Sequence, residues 1–222
     1  MPRPLLLGHR GARAIKAIPE NTLTSFDLAL EHGCDGFEFD VRLTADNECL
    51  VCHDPAIAGR DVAKAKRGEF CGHTTLDEVL NRYADKDFLD IELKVAGLED
   101  RTVHLLRKHD LSRGFVISSF LPEVLSAHHR CDRNLPLGLI CETASQMEDA
   151  NGLQLTHVIP HYKLITPALI SEWHAARKQV FAWTVNSAKK MLELQDWGVD
   201  AIISDDTQLL VATIGRNQHP RS

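Results

Sequence analysis

Strand-like and helix-like segments alternate along the whole 222-residue chain, and this alternation constrains the fold more than any single motif does. Segments with apolar residues at helical spacing follow each strand-like run, although the one after the fifth run, ASQMEDA, is weak. Eight such units in a chain of this length predict a (β/α)8 TIM barrel of the α/β class. A doubly wound open sheet is the alternative, because periodicity does not record closure. The predicted strands are residues 5–8, 36–41, 88–94, 114–118, 135–140, 155–160, 180–185 and 200–204.

One of the eight units is longer than the others. After the second strand the chain continues through an extra strand-like segment, ECLVCHD, and then a polar stretch before the next helix. A connection of roughly 30 residues is uncommon in a compact domain and is usually functional. No linker or low-complexity tract divides the sequence. We therefore predict a single domain over residues 1–222, with a short insertion loop at about residues 55–74.

The charge and hydropathy of the chain limit the classes of partner. The formal net charge is -6 and the pI about 6.0, so no global basic field exists to bind nucleic acid or an anionic membrane. No apolar run approaches the ~20 residues that a membrane span requires. The N-terminal sequence MPRPLLLGHRG is too short for a secretory signal. We expect a cytoplasmic protein that acts on a small molecule, without nucleic acid and without stable membrane association.

The six cysteines do not form a recognisable metal motif. Cys49 and Cys52 make a C-x-x-C, but the residues between them read as strand, and positions three apart on a strand point to opposite faces. Such a pair cannot hold one zinc ion, and the sequence contains no second C-x-x-C. We expect reduced, mostly buried thiols.

Carboxylates concentrate near the carboxyl ends of the predicted strands, where barrel enzymes place their active sites. Glu38 and Asp40 share one face of the second strand because side chains alternate with a period of two, and Glu92 lies on the neighbouring barrel strand. Three converging carboxylates suit a hard divalent cation, Mg²⁺ or Ca²⁺, bound through oxygen. Buried carboxylates must be neutralised in some way, so a salt-bridge cluster is the alternative. Its partners would be Arg10, Arg42 or Lys94.

Two histidines end strand-like segments beside these carboxylates. His9 ends the first strand and His53 the extra one, and imidazole is the side chain that changes charge near neutral pH. We therefore predict that they transfer protons. Arg10 adds a forked donor that suits phosphate oxygens, and Lys94 adds a point charge, so the set predicts a site for an anionic phosphorus centre. Histidines on the predicted helices, among them His128, are expected to face solvent.

At these residues the sequence resembles the glycerophosphodiester phosphodiesterase family. The resemblance implies a (β/α)8 barrel and an enzyme that hydrolyses glycerophosphodiesters to glycerol 3-phosphate and an alcohol with a divalent metal. The matching blocks follow the family order and span nearly the whole chain. They are GHRGA (8–12), PENT (19–22), GFEFDVRLTADN (36–47), CHDP (52–55), IELK (91–94), SSF (118–120), WTVN (183–186) and GVDAIISD (198–205).

The resemblance also implies a mechanism. The glycerol 2-hydroxyl would attack phosphorus and expel the alcohol, and water would then open the cyclic phosphate. The metal, Mg²⁺ or Ca²⁺, would bind the phosphoryl oxygens and the substrate hydroxyls. Its ligands would be Glu38, Asp40 and Glu92, and the general acid and base would be His9 and His53.

Substrate contacts follow from the same resemblance. Arg10 would bind the phosphate, Lys94 would add positive charge, and Trp183 would pack on the glycerol, although a core tryptophan at the barrel rim is the alternative for Trp183. Two features depart from the family pattern. PAIAGRD follows the HD pair where the family has a Pro-Thr-Leu-Asp-Arg-like turn, which leaves the role of Arg60 open. The inserted small domain of the family is also reduced here to a loop at residues 56–74.

Three other functions compete with this hypothesis. A lysophospholipase D or sphingomyelinase-D-like enzyme would need an apolar path for an acyl chain, and the insertion offers Val62 and Phe70. A catalytically silent barrel that binds glycerophosphate would lack at least one of His9, His53 and Glu92, and all three are present. An unrelated barrel metalloenzyme, such as a sugar isomerase, would use the two histidines as ligands.

Overall fold

The computed structural model describes residues 3–215, in which strands and helices alternate in the predicted order. The strands are β1 (Leu5–His9), β2 (Gly36–Leu43), β3 (Cys49–Val51), β4 (Ala56–Ile57), β5 (Arg60–Asp61), β6 (Phe88–Leu93), β7 (Phe115–Ser119), β8 (Leu137–Cys141), β9 (His157–Pro160), β10 (Gln179–Ala182) and β11 (Ala201–Ser204). The helices are α1 (Leu23–Glu31), α2 (Leu76–Tyr83), α3 (Glu99–Leu106), α4 (Pro122–Cys131), α5 (Ala144–Asp149), α6 (Pro167–Ala175), α7 (Ala188–Trp197) and α8 (Thr207–Ile214).

The first strand closes the sheet into a barrel. β1 pairs in parallel with β2 on one side and with β11 on the other. The remaining barrel strands follow in the order β2, β6, β7, β8, β9, β10 and β11, all parallel. The predicted (β/α)8 barrel is confirmed, and the open-sheet alternative is wrong. Closure depends on the first and last strands meeting in space.

The helical layer packs on the outside of the barrel through large apolar side chains. Thr22 caps α1 by accepting a hydrogen bond from the backbone N–H of Ser25. Phe26 of α1 stacks on Phe37 of β2 with ring centroids 4.2 Å apart, and Tyr83 of α2 meets Phe37 edge-on at 5.0 Å. Burying each such ring contributes roughly 1.5–3 kcal/mol, so the aromatic contacts fix both helices beside β2.

The interior of the barrel is filled below its carboxyl end. Inward-facing apolar residues form a cluster of their own inside the strand wall, separate from the core between strands and helices. Its buried members are Leu7, Val116, Ile140, Ile159, Phe181, Ala201 and Ile203. Because this packing occupies the centre, space for a ligand is left at the barrel mouth.

The insertion after β2 is a small structure with its own apolar core. In the structure it comprises residues 44–75, so it is wider than the predicted loop at about residues 55–74. β3 runs antiparallel to β2, with Val41 opposite Val51, which confirms the extra strand. β4 and β5 then form a two-stranded hairpin. The buried side chains of this region are Leu50, Cys52, Val62, Ala65 and Phe70. They pack on one another in a cluster that is separate from the main core.

The cysteines in the described residues are all free thiols. Cys49 and Cys52 are buried, and burial raises the pKa of each thiol to about 12, so both are inert thiols at neutral pH. None of the helices in residues 3–215 combines the length and the apolar character needed to cross a bilayer.

The expectation that His128 faces solvent is wrong. Its side chain is fully buried, and its ring Nδ1 donates to the carbonyl oxygen of Val124 at 2.8 Å. Val124 lies one helical turn earlier on α4 and is also buried, so the helical repeat places His128 on the inner face of the helix.

Candidate active site

A cavity of about 270 Å³ opens at the carboxyl end of the barrel strands. All but one of the residues predicted for the site line it, and Asp40 lies fully buried behind the wall. The lining residues are His9, Arg10, Glu38, His53, Asp90, Glu92, Lys94, Phe120, Ile140, Glu142, Ile159, Trp183 and Ile203.

The carboxylates converge because two neighbouring strands share one register. Glu38 of β2 lies opposite Asp90 of β6, and Asp40 lies opposite Glu92 two residues further on. One carboxylate oxygen from each of Glu38, Asp40 and Glu92 lies within 4.8 Å of the others. We call these three residues the carboxylate triad. Its oxygens are close enough to bind a single cation.

Two basic side chains approach the triad. Arg10 places Nε 3.0 Å from Asp40 Oδ2, and Lys94 places Nζ 3.3 Å from Asp40 Oδ1 and 2.5 Å from Glu92 Oε1. Arg42, the third candidate partner, instead donates from Nε to the carbonyl oxygen of His53 at 2.7 Å. Of the three basic side chains named for a salt-bridge cluster, Arg10 and Lys94 therefore form ion pairs with the triad, and both contact Asp40.

These pairs leave negative charge uncompensated. Glu38 Oε1 is buried and accepts no hydrogen bond from any group in residues 3–215, whereas Asp40 Oδ1, also buried, has the Lys94 ammonium 3.3 Å away. Asp90 adds a fourth buried carboxylate against only two cations. Buried charged oxygens without partners cost several kcal/mol, so the donor set fits a divalent cation bound through oxygen.

The pKa values within the triad show the same imbalance. Burial, together with the charges of Asp40 and Glu92, raises the pKa of Glu38 well above its ordinary value. Burial and the charge of Asp40 raise the pKa of Glu92 to about 7. Burial also acts to raise the pKa of Asp40, but Arg10 and Lys94 outweigh it and lower that pKa. The triad therefore favours the arrival of further positive charge.

His9 is oriented by a carboxylate that the sequence reasoning gave no role. Its Nδ1 lies 2.7 Å from Asp205 Oδ1, and its Nε2 lies 3.7 Å from Glu38 Oε2. Burial acts to raise the pKa of Asp205, but the hydrogen bond with His9 outweighs it, so the carboxylate is ionised. Because an ionised carboxylate only accepts, the Nδ1 side of His9 carries the proton and Nε2 is the free nitrogen. Burial lowers the pKa of His9, against the hydrogen bond with Asp205.

His53 reaches the same cavity from the insertion. Its Nδ1 lies 2.8 Å from Asp54 Oδ1, so it repeats the imidazole–carboxylate pairing of His9. Its side chain is 36% exposed, against 11% for His9. The structure thus brings the two predicted histidines to one cavity, with His53 at the solvent edge and His9 in the wall.

The backbone at Arg10 is strained and is held by the site. Arg10 has φ 52°, in the left-handed region that costs a non-glycine residue about 1 kcal/mol. Its N–H donates to Glu38 Oε2 at 3.0 Å, and its Nη1 donates to Glu20 Oε1 at 2.7 Å. Asn21, which follows Glu20 in the PENT block, donates from Nδ2 to Asp40 Oδ2 at 2.8 Å. This loop therefore fixes both Arg10 and Asp40.

Aromatic side chains form another part of the wall. Lys94 Nζ lies 5.6 Å from the centre of the Phe120 ring, over its face. Trp183 meets Phe120 at a nearly perpendicular angle with centroids 5.4 Å apart, and its Nε1 donates to the carbonyl oxygen of Ile159 at 2.9 Å. Trp183 is half-buried and lines the cavity, a position from which it can contact a ligand.

Asp90 and Asp205 belong to the candidate site, although no role was predicted for either of them. Asp90 is fully buried, Ser118 Oγ donates to its Oδ1 at 2.5 Å, and burial raises its pKa to about 7. The sequence contains a pattern that indicates Asp90. Asp90 precedes Glu92 by two residues on one strand, as Glu38 precedes Asp40, so both pairs share a face. Asp205 directly follows the last predicted strand, residues 200–204, just as His9 directly follows the first, residues 5–8.

Known sequences resemble this chain over most of its length. The sequence profile of the Glycerophosphoryl diester phosphodiesterase family matches residues 9–90 and 78–209. A glycerophosphodiester phosphodiesterase of Caldanaerobacter subterraneus subsp. tengcongensis is 30% identical to this chain over 237 residues. That alignment covers 94% of this chain and 97% of the relative.

Solved structures resemble the chain over almost its full length. A phosphodiesterase of Oleispira antarctica, solved in complex with the product sn-glycerol-3-phosphate, has a TM-score of 0.84 at 25% identity and covers 96% of this chain and 97% of its own. A glycerophosphodiester phosphodiesterase of Parabacteroides distasonis shares the fold, with a TM-score of 0.85 at 24% identity over 97% of this chain and 99% of its own. With a profile that spans most of its length and a relative aligned from end to end, the chain belongs to the glycerophosphoryl diester phosphodiesterase family.

Proposed function

We propose that the chain hydrolyses glycerophosphodiesters to glycerol 3-phosphate and an alcohol, with a divalent cation and with proton transfer by His9 and His53. Family membership makes the chain a phosphodiesterase, and the Oleispira antarctica relative was solved with glycerol 3-phosphate as product. One observation carries the finer proposal. The carboxylate triad, two carboxylate-paired imidazoles, Arg10 and Lys94 all converge at a single cavity.

The carboxylate triad would hold the cation, Mg²⁺ or Ca²⁺. The unpartnered buried oxygen of Glu38 and the surplus of negative charge in the triad support this assignment. A bound divalent ion supplies positive charge to phosphoryl oxygens and to substrate hydroxyls.

Arg10 and Lys94 would bind the phosphate. Both border the cavity beside the triad, so an entering phosphate meets two positive groups that are already held in place. Arg10 is tied to Glu20 through Nη1 and to Asp40 through Nε, which leaves Nη2 for a phosphate oxygen. Trp183 would pack on the glycerol from the opposite wall.

The two histidines would move the protons. The free Nε2 of His9 accepts the proton of the glycerol 2-hydroxyl, whose oxygen attacks phosphorus and forms a cyclic phosphate. His53, at the solvent edge, protonates the departing alcohol as the bond from phosphorus to oxygen breaks. In the second half, water gives a proton to His53 and attacks phosphorus, and His9 returns its proton to the 2-oxygen. Glycerol 3-phosphate leaves with both histidines restored.

The insertion argues against the lysophospholipase D alternative. An acyl chain needs apolar side chains turned toward the cavity, and the insertion supplies Val62 and Phe70. These are only 1% and 3% exposed, because they pack with Leu50 and Cys52 inside the insertion. The insertion therefore provides no apolar path for an acyl chain through these two side chains.

The proposal is tested with purified protein and glycerophosphocholine. We expect release of glycerol 3-phosphate, loss of the activity in EDTA, and recovery on addition of Mg²⁺ or Ca²⁺. His9→Ala and His53→Ala should each lower kcat at least about 100-fold, since each removes one proton-transfer group. His104→Ala, an exposed histidine on α3, serves as the matched control and should keep full activity.

Near-normal turnover in His9→Ala or His53→Ala would contradict the acid–base assignment. Undiminished activity in EDTA after exhaustive dialysis would contradict the role of the triad. A product other than glycerol 3-phosphate would contradict the proposed bond cleavage.

A further inference from the structure

The wall of the active-site cavity changes character from one side of the barrel to the other. The early strands β1, β2 and β6 contribute its charged side chains, whereas β8, β9 and β11 contribute isoleucines. Ile140 of β8 lies opposite Ile159 of β9 in the strand register. One carboxylate interrupts this apolar half, and it belongs to Glu142, directly after β8.

Glu142 lies across the barrel mouth from the phosphate-binding side. In the closed order of eight strands, β8 is the fifth from β1, which is the diametrically opposite position. β1 carries His9 and leads directly into Arg10. Glu142 follows Ile140 by two residues, so it continues the inward-facing row of β8 one layer above that side chain.

The side chain of Glu142 is not used by the protein itself. Its backbone N–H donates to Gln146 Oε1 at 2.8 Å, as part of the cap of α5. Its carboxylate, by contrast, is exposed and takes part in no ion pair or hydrogen bond with another group of residues 3–215. Burial and Lys163 lower the pKa of the neighbouring His161 imidazole, and the charge of Glu142 acts against them to raise it. Without an ion-pair partner among the described residues, that charge also faces whatever fills the cavity.

An unshared carboxylate is unfavourable in a site for phosphodiesters. The phosphate of the substrate is an anion, and like charges held in one partly desolvated cavity repel each other. The repulsion becomes attraction when the alcohol part of the substrate carries a cation that reaches Glu142. Ile140 and Ile159 lie beside Glu142 and suit the alkyl groups that are bound to an ammonium nitrogen. Burial of these alkyl groups is favourable.

We propose that Glu142, with Ile140 and Ile159 beside it, is a subsite for a cationic alcohol group, so that the chain prefers zwitterionic glycerophosphodiesters of amino alcohols. This inference rests on the proposed function, because it assumes that the phosphate lies between His9 and the triad. Glycerophosphocholine and glycerophosphoethanolamine belong to the preferred class. Glycerophosphoglycerol, whose alcohol is uncharged, belongs to the disfavoured class.

The experiment compares kcat/KM for these three substrates by release of glycerol 3-phosphate. We expect the two amino-alcohol diesters to exceed glycerophosphoglycerol by about fivefold, the order of one ion pair at a partly exposed position. Glu142→Gln should bring the ratio close to one, by lowering kcat/KM for the zwitterions and raising it for glycerophosphoglycerol. Glu142→Lys should invert the preference. Glu148→Gln, an exposed glutamate of α5 outside the cavity, should keep the wild-type ratio.

Equal kcat/KM for all three substrates in the wild type would overturn the inference. A preference for the amino-alcohol diesters that survives in Glu142→Gln would also overturn it. So would an equal loss of kcat/KM on all three substrates in Glu142→Gln, because that result would place Glu142 at the glycerol instead. None of these results touches the proposed function, which stands if glycerol 3-phosphate is released from any of the three. Absence of that product from all of them would overturn both.

Discussion

Asp205 acts on the site through His9. Its Oδ1 lies 2.7 Å from His9 Nδ1, and the carboxylate is itself held by Asn186 Nδ2 at 2.7 Å and by Arg13 Nη1 at 3.1 Å. This arrangement fixes the ring and its tautomer, with Nε2 as the free nitrogen. We therefore regard Asp205 as a positioning residue.

Asp205→Asn tests this role. The amide can turn its NH2 toward Nδ1 and favour the tautomer that blocks Nε2, so we expect kcat to fall by about 100-fold or more while KM changes little. The remaining activity should respond differently to pH. The hydrogen bond that His9 donates to Asp205 raises the pKa of His9, so its loss lowers that pKa. Because a base acts in its deprotonated form, the acid limb of the kcat/KM profile should move to lower pH.

A merely structural role for Asp205 would leave the acid limb in place. Asp205→Glu keeps the charge and should recover part of kcat, although its longer side chain displaces the ring. An unchanged pH profile in Asp205→Asn, with activity reduced only in proportion to lost folded protein, would contradict the positioning role.

At the scale of elements, the insertion is the part of the site with the least support from the barrel. His53 comes from the turn after β3, and the insertion packs through its own small cluster, separate from the main core. Elements with few buried contacts open locally before the whole molecule unfolds. The backbone of His53 is bound to β2 through Arg42 Nε at 2.7 Å, and Phe70 with its neighbours holds the rest of the segment that follows it.

Phe70→Ala tests this local dependence. Removing a buried phenylalanine costs about 3–5 kcal/mol, which exceeds what so small a cluster can lose while remaining folded. We expect proteolysis to become fast within residues 55–74 and turnover to fall strongly, while the Tm of the barrel drops by only a few degrees. Phe26→Ala, in the layer between α1 and β2, is the matched control and should lower the global Tm much more. Equal losses of Tm in the two variants would contradict the independence of the insertion.

At the scale of the whole molecule, barrel formation brings mutually repelling carboxylates together. Glu38, Asp40, Asp90 and Glu92 come from two neighbouring strands and are all buried. The core contacts of the entire fold maintain this arrangement, and the raised pKa values of Glu38, Asp90 and Glu92 reflect its cost. A ligand that relieves the repulsion therefore stabilises the folded state as a whole.

Divalent cations should raise the Tm of the protein in the absence of substrate. Binding at a concentration about 100 times Kd stabilises by roughly 2.7 kcal/mol, which is roughly 5–10 °C for a chain of this size. Glu38→Gln should abolish the shift. It should also raise the Tm of the cation-free protein, because one buried charge is removed. Glu148→Gln is the exposed control and should keep the shift, while an equal shift in Glu38→Gln would contradict binding at the triad.

The repeating unit and many residues of the candidate site follow from local sequence patterns. Periodicity identified eight strands and their helices, and the period of two placed Glu38 with Asp40, because both signals are local along the chain. The same period of two along the strand also pairs Asp90 with Glu92, although Asp90 was not predicted as part of the site. His128 shows a limit, since its helical face depended on packing partners that the local pattern did not name.

Contacts between groups far apart in the chain become visible in the folded molecule alone. Asp205 reaches His9 because β11 pairs with β1 across the whole length of the chain, and Glu142 lies opposite Arg10 because the barrel closes. Pairings of this kind depend on the register of distant strands, which no local pattern records. For that reason the candidate groups of the site could be predicted from the residues, whereas their orientation and the shape of the cavity could not.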